Sequence, residues 1–360
     1  MYEISVENQF DFSCNAYATC FAESDATAFQ SPVWLTQFYE KLVDGKRADP
    51  LIITIRERAS NTLVGLMPLT RRKLHGITLV EAADLGVTDY TVPAIHRDHL
   101  EVLTNSDIVS AAIRRATGSH DHFRVKSVPT NSLSGWSVVG ELASAPTDFS
   151  AHMADLGEDF DAFRSTQWSN SHQKYIDRRA RRAERETDLS IERLAEPSEI
   201  ENAISELAAL RAGRFDGDPI QDPEICAFYQ AVAVTGHAAG SAETWRLTFD
   251  GETGGIVFGI TDKNRFYYLL IGCDYDRFGR HSPGLLMYDA IMRDWCERGG
   301  TEFDFTIGDE PFKADFGTKP LQISAVAKTE TLKGHLAIQG KNLLSRTRPQ
   351  IEQWLKRKSA

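Results

Sequence analysis

The densest group of reactive side chains lies in the segment FDFTIGDEPFKADFG, which begins at Phe303. Asp304 falls within an apolar run typical of a buried strand, and Asp309, Glu310 and Lys313 follow in the predicted exit loop. Carboxylates at the end of a strand are well placed to act as a general base or to orient a substrate. The alternative is a structural Asp304 that pairs with an arginine or caps a neighbouring element.

A second group of candidate residues precedes a predicted helix that runs from Gly284 to Arg298. Ser282 can cap this helix, Pro283 suits its first turn, and Gly284 leaves the backbone open to a ligand. The unpaired N–H groups at a helix start can hold a phosphate, and Arg280 and His281 add donors beside them. An ordinary helix start without a ligand is the alternative.

A third group belongs to a predicted helix from Phe160 to Glu186, with His172 and Tyr175 before its basic middle. Five of its cations share roughly one face at helical spacing: Lys174, Arg178, Arg181, Arg182 and Arg185. This face is either simply solvated or an electrostatic funnel for an anionic acceptor, such as a lipid-linked or nucleotide sugar. Arg178 and Arg182 also have the RxxxR spacing of cyclic-dinucleotide receptors, but the companion Asp/Asn-x-Ser-x-x-Gly motif is absent.

Composition narrows the class of protein. The 360 residues include 40 Lys and Arg against 51 Asp and Glu, so the formal charge is −11. The ordinary hydrophobic share of 42% excludes a disordered or fibrous chain, and the acidic balance argues against a DNA-binding protein. No Cys/His cluster indicates a metal site, and no signal peptide or membrane span is evident, so a cytoplasmic protein is expected. Serine-hydrolase, P-loop and zinc-protease motifs are also missing.

Strand-like and helix-like segments alternate along the chain, which predicts a mixed α/β protein. Ser31 and Pro32 indicate a helix start, and Leu51–Arg56 with Leu63–Thr70 indicate a hairpin. We predict domains at residues 1–147 and 148–335, followed by a basic helical tail at 336–360. The tail is either a solvated helix or a docking element for an anionic partner.

Several of these segments together resemble a known family. The patterns FQSPVWLTQFY, KYIDRRARRAE, SPGLLMYDAI and FDFTIGDEPFKADFG are similar to the CelD/BcsL-type acetyltransferases of cellulose and exopolysaccharide biosynthesis. That family is part of the GCN5-related N-acetyltransferase (GNAT) superfamily. The resemblance implies two tandem acetyltransferase-like domains with mixed, mostly antiparallel sheets flanked by helices, as in Fem-type transferases. The first domain would be a degenerate copy.

The resemblance also implies roles for individual residues. Acetyl-CoA would be the co-substrate, with no metal, and its arm would lie along the strand Arg265–Cys273. The pyrophosphate would rest in the turn Arg280–Leu285. Asp304 or Glu310 would be the base. Many relatives have a tyrosine where this chain has Phe312, so protonation of the thiolate would fall to Tyr288 or Tyr275. The residues predicted to bind the acceptor are Asp309, Lys313, His172, Tyr175 and Arg178; those predicted to bind the cofactor are Cys273, Arg280, His281, Ser282, Gly284 and Leu285.

The expected function is acyl-CoA-dependent N- or O-acetylation of a sugar or polysaccharide precursor. Acceptors would be a sugar nucleotide, a lipid-linked sugar or a polysaccharide, and the protein would contact a membrane-bound synthase from the cytoplasmic side of the inner membrane. Two alternatives remain open: a Fem-like aminoacyl-tRNA-dependent transferase and a non-catalytic regulator that responds to cyclic di-GMP. The acidic charge speaks against the first alternative.

Overall fold

One continuous sheet of thirteen strands forms the backbone of the molecule. The structure is a computed structural model that describes residues 1–43 and 47–340. The predicted tail at 336–360 therefore lies outside the described residues from position 341 onward, and its first residues belong to a helix at 332–340. No helix within the described residues is both long and apolar enough to cross a lipid bilayer.

The described residues of the first half of the chain supply six strands and five α-helices. The strands are β1 (Tyr2–Glu7), β2 (Asp49–Glu57), β3 (Leu63–Leu74), β4 (Ile77–Ala82), β5 (Ala94–Ile95) and β6 (His122–Pro129). The helices are α1 (Asn15–Ala22), α2 (Pro32–Lys41), α3 (Arg97–Thr104), α4 (Asp107–Ala116) and α5 (Leu133–Trp136).

The second half supplies the remaining strands and helices. The strands are β7 (Ala143–Asp155), β8 (Leu189–Arg193), β9 (Ala242–Phe249), β10 (Glu252–Asp262), β11 (Arg265–Cys273), β12 (Glu302–Ile307) and β13 (Lys319–Thr329). The helices that precede the one at 332–340 are α6 (Phe160–Gln167), α7 (Asn170–Glu186), α8 (Pro197–Arg211), α9 (Pro223–Ala238), α10 (Tyr275–Phe278), α11 (Pro283–Glu297) and α12 (Phe312–Asp315).

The last strand, β13, joins the two halves of the sheet, because it lies between β6 and β7. The order is β1-β2-β3-β4-β6-β13-β7-β12-β11-β10-β9-β8, with β5 paired to β3. Only β4–β6 and β11–β12 are parallel pairs among the described strands. This confirms the predicted mixed, mostly antiparallel α/β fold. The predicted domain division between residues 147 and 148 falls inside β7, which pairs with both β13 and β12.

Local sequence explains several of these elements. Ser31 accepts a hydrogen bond from the N–H of Trp34 at the start of α2, and the predicted hairpin is the pair β2–β3. The prediction of a single helix from Phe160 to Glu186 is wrong, because the helix is interrupted between α6 and α7. Trp168 is extended there and buried against Phe316, and Ser169 caps α7 through the N–H of His172. A buried tryptophan and a serine cap thus stop one helix and start the next.

Strands β11 and β12, which carry part of the predicted site, separate along their length. β11 and β12 pair only over their first three residues, from Arg265 with Glu302 to Tyr267 with Asp304. Beyond that point β11 continues to Cys273, while β12 bulges on its β7 side and Thr306 adopts a φ of 55°. Helix α11 packs on the sheet face that carries Phe266 and Phe303, and Tyr267 points into the core on the other face. The separation of β11 from β12 therefore leaves a gap within the sheet.

Candidate active site

A cavity of about 590 Å³ occupies the gap between β11 and β12. Its walls come from the free edge of β11, the start of α11, the β12–α12 loop, the end of α8 and the loop between β4 and β5. Seven of the predicted site residues line this cavity: Cys273, Ser282, Gly284, Leu285, Tyr288, Glu310 and Lys313. Residues far apart in the sequence therefore converge where the two strands diverge.

Two tyrosine hydroxyls meet inside this cavity. Tyr288 on α11 donates to the hydroxyl of Tyr268 on β11 at 3.0 Å, and its ring stacks on Phe312. Burial raises the pKa of Tyr288 well above its usual value, so both hydroxyls keep their protons at neutral pH. The pair places two protonated hydroxyls beside Phe312. Tyr268 was missed because it lies in an apolar strand run without any motif.

The start of α11 is open toward the cavity but lacks the predicted side-chain cap. Ser282 adopts φ 58° and ψ 56°, and its side chain makes no cap hydrogen bond. Its hydroxyl lies 3.2 Å from that of Tyr175, which also accepts a bond from Arg179. The Ser282 contact and the cation lower the pKa of Tyr175. These contacts fix α7 against the turn. Pro283 has no N–H, and the N–H groups of Leu285 and Leu286 donate to the carbonyl of Ser282, which leaves the N–H of Gly284 to a ligand.

A side chain at position 284 would meet Tyr275, which folds over the turn. A Cβ at position 284 would lie 2.9 Å from the Tyr275 hydroxyl and 3.4 Å from Ile271. Cys273 lies below it, and burial raises the pKa of this thiol to about 12. Cys273 is therefore a neutral wall residue and not a nucleophile.

Two arginines from the end of α8 line the open side of the cavity. Arg211 donates to the carbonyl of Ile271 at 2.9 Å and is held by Asp218, while Arg214 donates to the carbonyl of Cys273 at 3.0 Å. The Arg214 guanidinium also lies over the ring of Tyr275. Because Asp218 neutralises Arg211, the positive charge at this side of the cavity comes from Arg214, which suits phosphate. Neither was predicted, because they sit about sixty positions from the strand that they contact.

Asp304 lies on the opposite face of the sheet. It is 2% exposed, and its Oδ1 accepts from the hydroxyl of Tyr90 and from the N–H of Thr306. Its other oxygen is 3.8 Å from Arg265, so the ion pair that the sequence left open is present. Burial raises the pKa of Asp304 to about 6, against the lowering effect of Arg265. Asp304 lines a neighbouring cavity of about 470 Å³ together with Tyr90.

Asp89 is the carboxylate that the sequence analysis missed. It reaches the 590 Å³ cavity from the β4–β5 loop, next to Thr306 and close to the point where the strands part. Burial raises the pKa of Asp89 to about 7; nearby Asp304 adds to the rise, and Lys313 opposes it. A carboxyl group poised near neutral pH inside a cavity is a candidate acid–base residue. The signal in the sequence was a pair of aspartates in the otherwise apolar segment ADLGVTDYTV.

Lys313 stabilises the end of β12 and the loop that follows it. Its ammonium is 3% exposed, donates to the carbonyls of Ile307 and Gly308 at 3.0 and 2.9 Å, and lies 2.9 Å from Glu310. With its donors engaged in this way, Lys313 shapes the loop more than it offers a free charge. Its positive charge also offsets the buried carboxyl groups of Asp89 and Asp304.

Replacing Lys313 with methionine is expected to lower the free energy of unfolding by about 2–4 kcal/mol, because buried carbonyls lose their donor and two carboxyls lose a counter-charge. Urea unfolding measures the change. Lys319→Met is the matched control, since Lys319 is exposed at the start of β13. An equal loss in the two variants would contradict this account.

The other predicted site residues lie away from the first cavity. Asp309 pairs with His152, and this hydrogen bond lowers the pKa of Asp309. His281 is fully buried beside Phe249, and its Nε2 accepts from Arg280. Two others lie on α7: His172, packed against Phe316, and exposed Arg178, which lies over the ring of Tyr175.

The chain has a GNAT-like transferase fold. Residues 170–314 match the family model described as an acetyltransferase (GNAT) domain. This match supports the GNAT superfamily for that part of the chain; the narrower CelD/BcsL-type family stays a prediction. No curated protein sequence is significantly similar to the chain.

Solved structures are similar over nearly the whole chain at low sequence identity. FemX has a TM-score of 0.61 at 12% identity and covers 90% of this chain and 96% of its own. L-PGS from Bacillus licheniformis has a TM-score of 0.56 at 11% identity, with 94% and 99% covered. A tandem GNAT protein from the clavulanic acid biosynthesis pathway has a TM-score of 0.51 at 12% identity, with 91% and 98% covered. These likenesses concern the fold.

Proposed function

We propose that the chain is an acyl-CoA-dependent acyltransferase that modifies an amine or hydroxyl of a sugar or polysaccharide precursor. The observation that carries the proposal is the divergence of β11 from β12, which opens a cavity between a free strand edge and a helix start. A thioester arm is long and thin, and such a cleft can hold it along the strand. The GNAT domain match supports the same donor class.

Donor binding would use three parts of the cavity. The carbonyl of Ile271 faces the free edge of β11, and its N–H lies on the same edge, where it can donate to an amide or to the thioester carbonyl. The N–H of Gly284 at the start of α11 would donate to the pyrophosphate. Arg214 would add a cation beside it, since it lines the same cavity.

Transfer would proceed by direct attack of the acceptor on the thioester carbonyl carbon. The acceptor nitrogen or oxygen forms the new bond, and the carbon–sulfur bond breaks. Asp89 would take the proton from the acceptor, because its raised pKa makes it a stronger base than an exposed aspartate. Tyr268, hydrogen-bonded to Tyr288, would return a proton to the leaving thiolate. The β11 N–H would stabilise the negative charge that develops on the carbonyl oxygen.

The acceptor class rests on the resemblance to exopolysaccharide acetyltransferases. A sugar nucleotide, a lipid-linked sugar or a growing polysaccharide would supply the amine or hydroxyl, and a membrane-bound synthase would be the partner. In this scheme Asp304 and the cavity that it lines would belong to the acceptor side, across the sheet from α11.

The experiment is an acyl-transfer assay with acetyl-CoA and a panel of amino sugars, nucleotide sugars and neutral sugars. Free thiol and the mass of the product are followed together, with an acceptor-free reaction as control. Thiol release that depends on an acceptor, with a product heavier by one acetyl group, supports the proposal. Transfer only from aminoacyl-tRNA, or binding of cyclic di-GMP without turnover, would contradict it.

A further inference from the structure

A stripe of basic residues follows the exposed side of α7. The basic stripe consists of Lys174, Arg178, Arg181 and Arg185, all exposed. Among the described residues, the first three have no carboxylate within ion-pair distance, and Arg185 has only Glu186 at 3.5 Å. A protein with a net charge of −11 thus concentrates free positive charge on one helix face. Such a surface attracts an anionic partner.

The stripe lies next to the face of α7 that contacts the turn before α11. The neighbouring face of α7 contacts the turn before α11, where Tyr175 meets Ser282 and Arg179 donates to the carbonyl of Arg280. Each stripe residue therefore lies about one helical position away from a residue that touches the donor turn. A partner on the stripe would present its own group at the cavity mouth.

The geometry of the stripe favours an acidic helix over a nucleic acid. Its ends, Lys174 and Arg185, lie about 16 Å apart at 1.5 Å rise per residue, and the charges repeat every three or four residues. Carboxylates at the same spacing on a facing helix would meet these cations one for one. Single-stranded nucleic acids call for exposed aromatic platforms, but the nearby Tyr175 ring is covered by Arg178 and Arg179.

We propose that the basic stripe docks an acidic helix of an acyl carrier protein, whose phosphopantetheine arm then enters the cavity. This inference rests on the proposed function, because free acyl-CoA and a loaded carrier share the same thioester arm. The reaction balances in the same way. The carrier's carbon–sulfur bond breaks, the acceptor gains the acyl group, and the carrier keeps its thiol with a proton from the tyrosine pair.

The test compares two donors, acetyl-CoA and an acetylated holo acyl carrier protein, in the full chain. The variant Lys174→Glu/Arg181→Glu reverses two stripe charges that touch neither the cavity nor the turn. Lys73→Glu/Arg115→Glu is the matched control, with two exposed cations on β3 and α4. We expect the KM for the carrier to rise about tenfold or more in the stripe variant, while the KM for acetyl-CoA stays unchanged in that variant.

The outcomes separate the two proposals. Turnover of acetyl-CoA with no turnover of the carrier, or an equal rise of the carrier KM in the stripe variant and the control, overturns the docking inference. So does a stripe variant that loses binding of transfer RNA but keeps the KM for the carrier. If neither donor is turned over, the proposed function itself fails.

Discussion

Asp89→Asn is expected to lower kcat for acyl transfer by about 10²–10⁴-fold while the affinity for acetyl-CoA stays unchanged. The asparagine keeps the size of the side chain but cannot take a proton from the acceptor. Steady-state kinetics together with calorimetric titration of acetyl-CoA separate the two effects. Glu310→Gln is the matched comparison, because Glu310 lines the same cavity but pairs with Lys313 and is half exposed. A large loss in Glu310→Gln with little change in Asp89→Asn would assign the base to Glu310.

The same residue should set the pH dependence of the reaction. Only the deprotonated Asp89 can act as a base, and burial raises its pKa to about 7. We therefore expect kcat/KM to fall about tenfold per pH unit below that value and to level off above it. Asp89→Asn should lose this limb, and a profile unchanged in the variant would contradict the assignment.

Stability should respond to the same pKa with a defined sign. The pKa of Asp89 is higher in the folded than in the unfolded state, so folding binds a proton between the two values, and stability falls as the pH rises toward about 7. Asp89→Asn has no carboxyl group to deprotonate, so it removes this fall in stability. Its Tm should exceed that of the wild type at about pH 8, and the difference should shrink at about pH 4. A lower Tm in the variant at about pH 8 would indicate a structural role instead.

Gly284→Glu is expected to weaken acetyl-CoA binding by about a hundredfold or more, since it places a carboxylate beside the pyrophosphate site at a helix start. The new Cβ also meets the Tyr275 hydroxyl at 2.9 Å, but Tyr275 is 43% exposed and can move aside. Gly284→Ala is the control for this steric part and should bind more tightly than the glutamate variant. Circular dichroism checks that both variants fold. Unchanged affinity in Gly284→Glu would remove the helix start from the site.

The part of the site that the sequence revealed lies close together along the chain. The cavity residues Tyr288, Glu310 and Lys313 belong to one helix and one exit loop, so a local pattern is enough to find them. The helix predicted from Gly284 to Arg298 is α11, and it was predictable because it carries its own apolar period and end signals. The pairing of Asp304 with an arginine, which the sequence left open as an alternative, is present through Arg265 on the adjacent strand.

The features that the sequence did not reveal depend on contacts between segments that are far apart in the chain. Asp89 comes from a loop more than two hundred positions before Thr306, and Arg214 reaches β11 from the end of α8. The placement of β13 between β6 and β7 is likewise a matter of tertiary pairing, which no local pattern encodes. The break of the predicted long helix at Trp168 follows from burial of that side chain in the assembled core.

The measurement that tests the central claim most directly is isothermal titration of the folded protein with acetyl-CoA, with the same titration of Gly284→Glu beside it. The account predicts one acetyl-CoA bound per chain with a micromolar Kd in the wild type and no measurable heat in the variant. A folded wild-type protein that binds no acetyl-CoA, or a variant that binds it equally well, would contradict the claim that the cavity between β11 and β12 holds an acyl thioester.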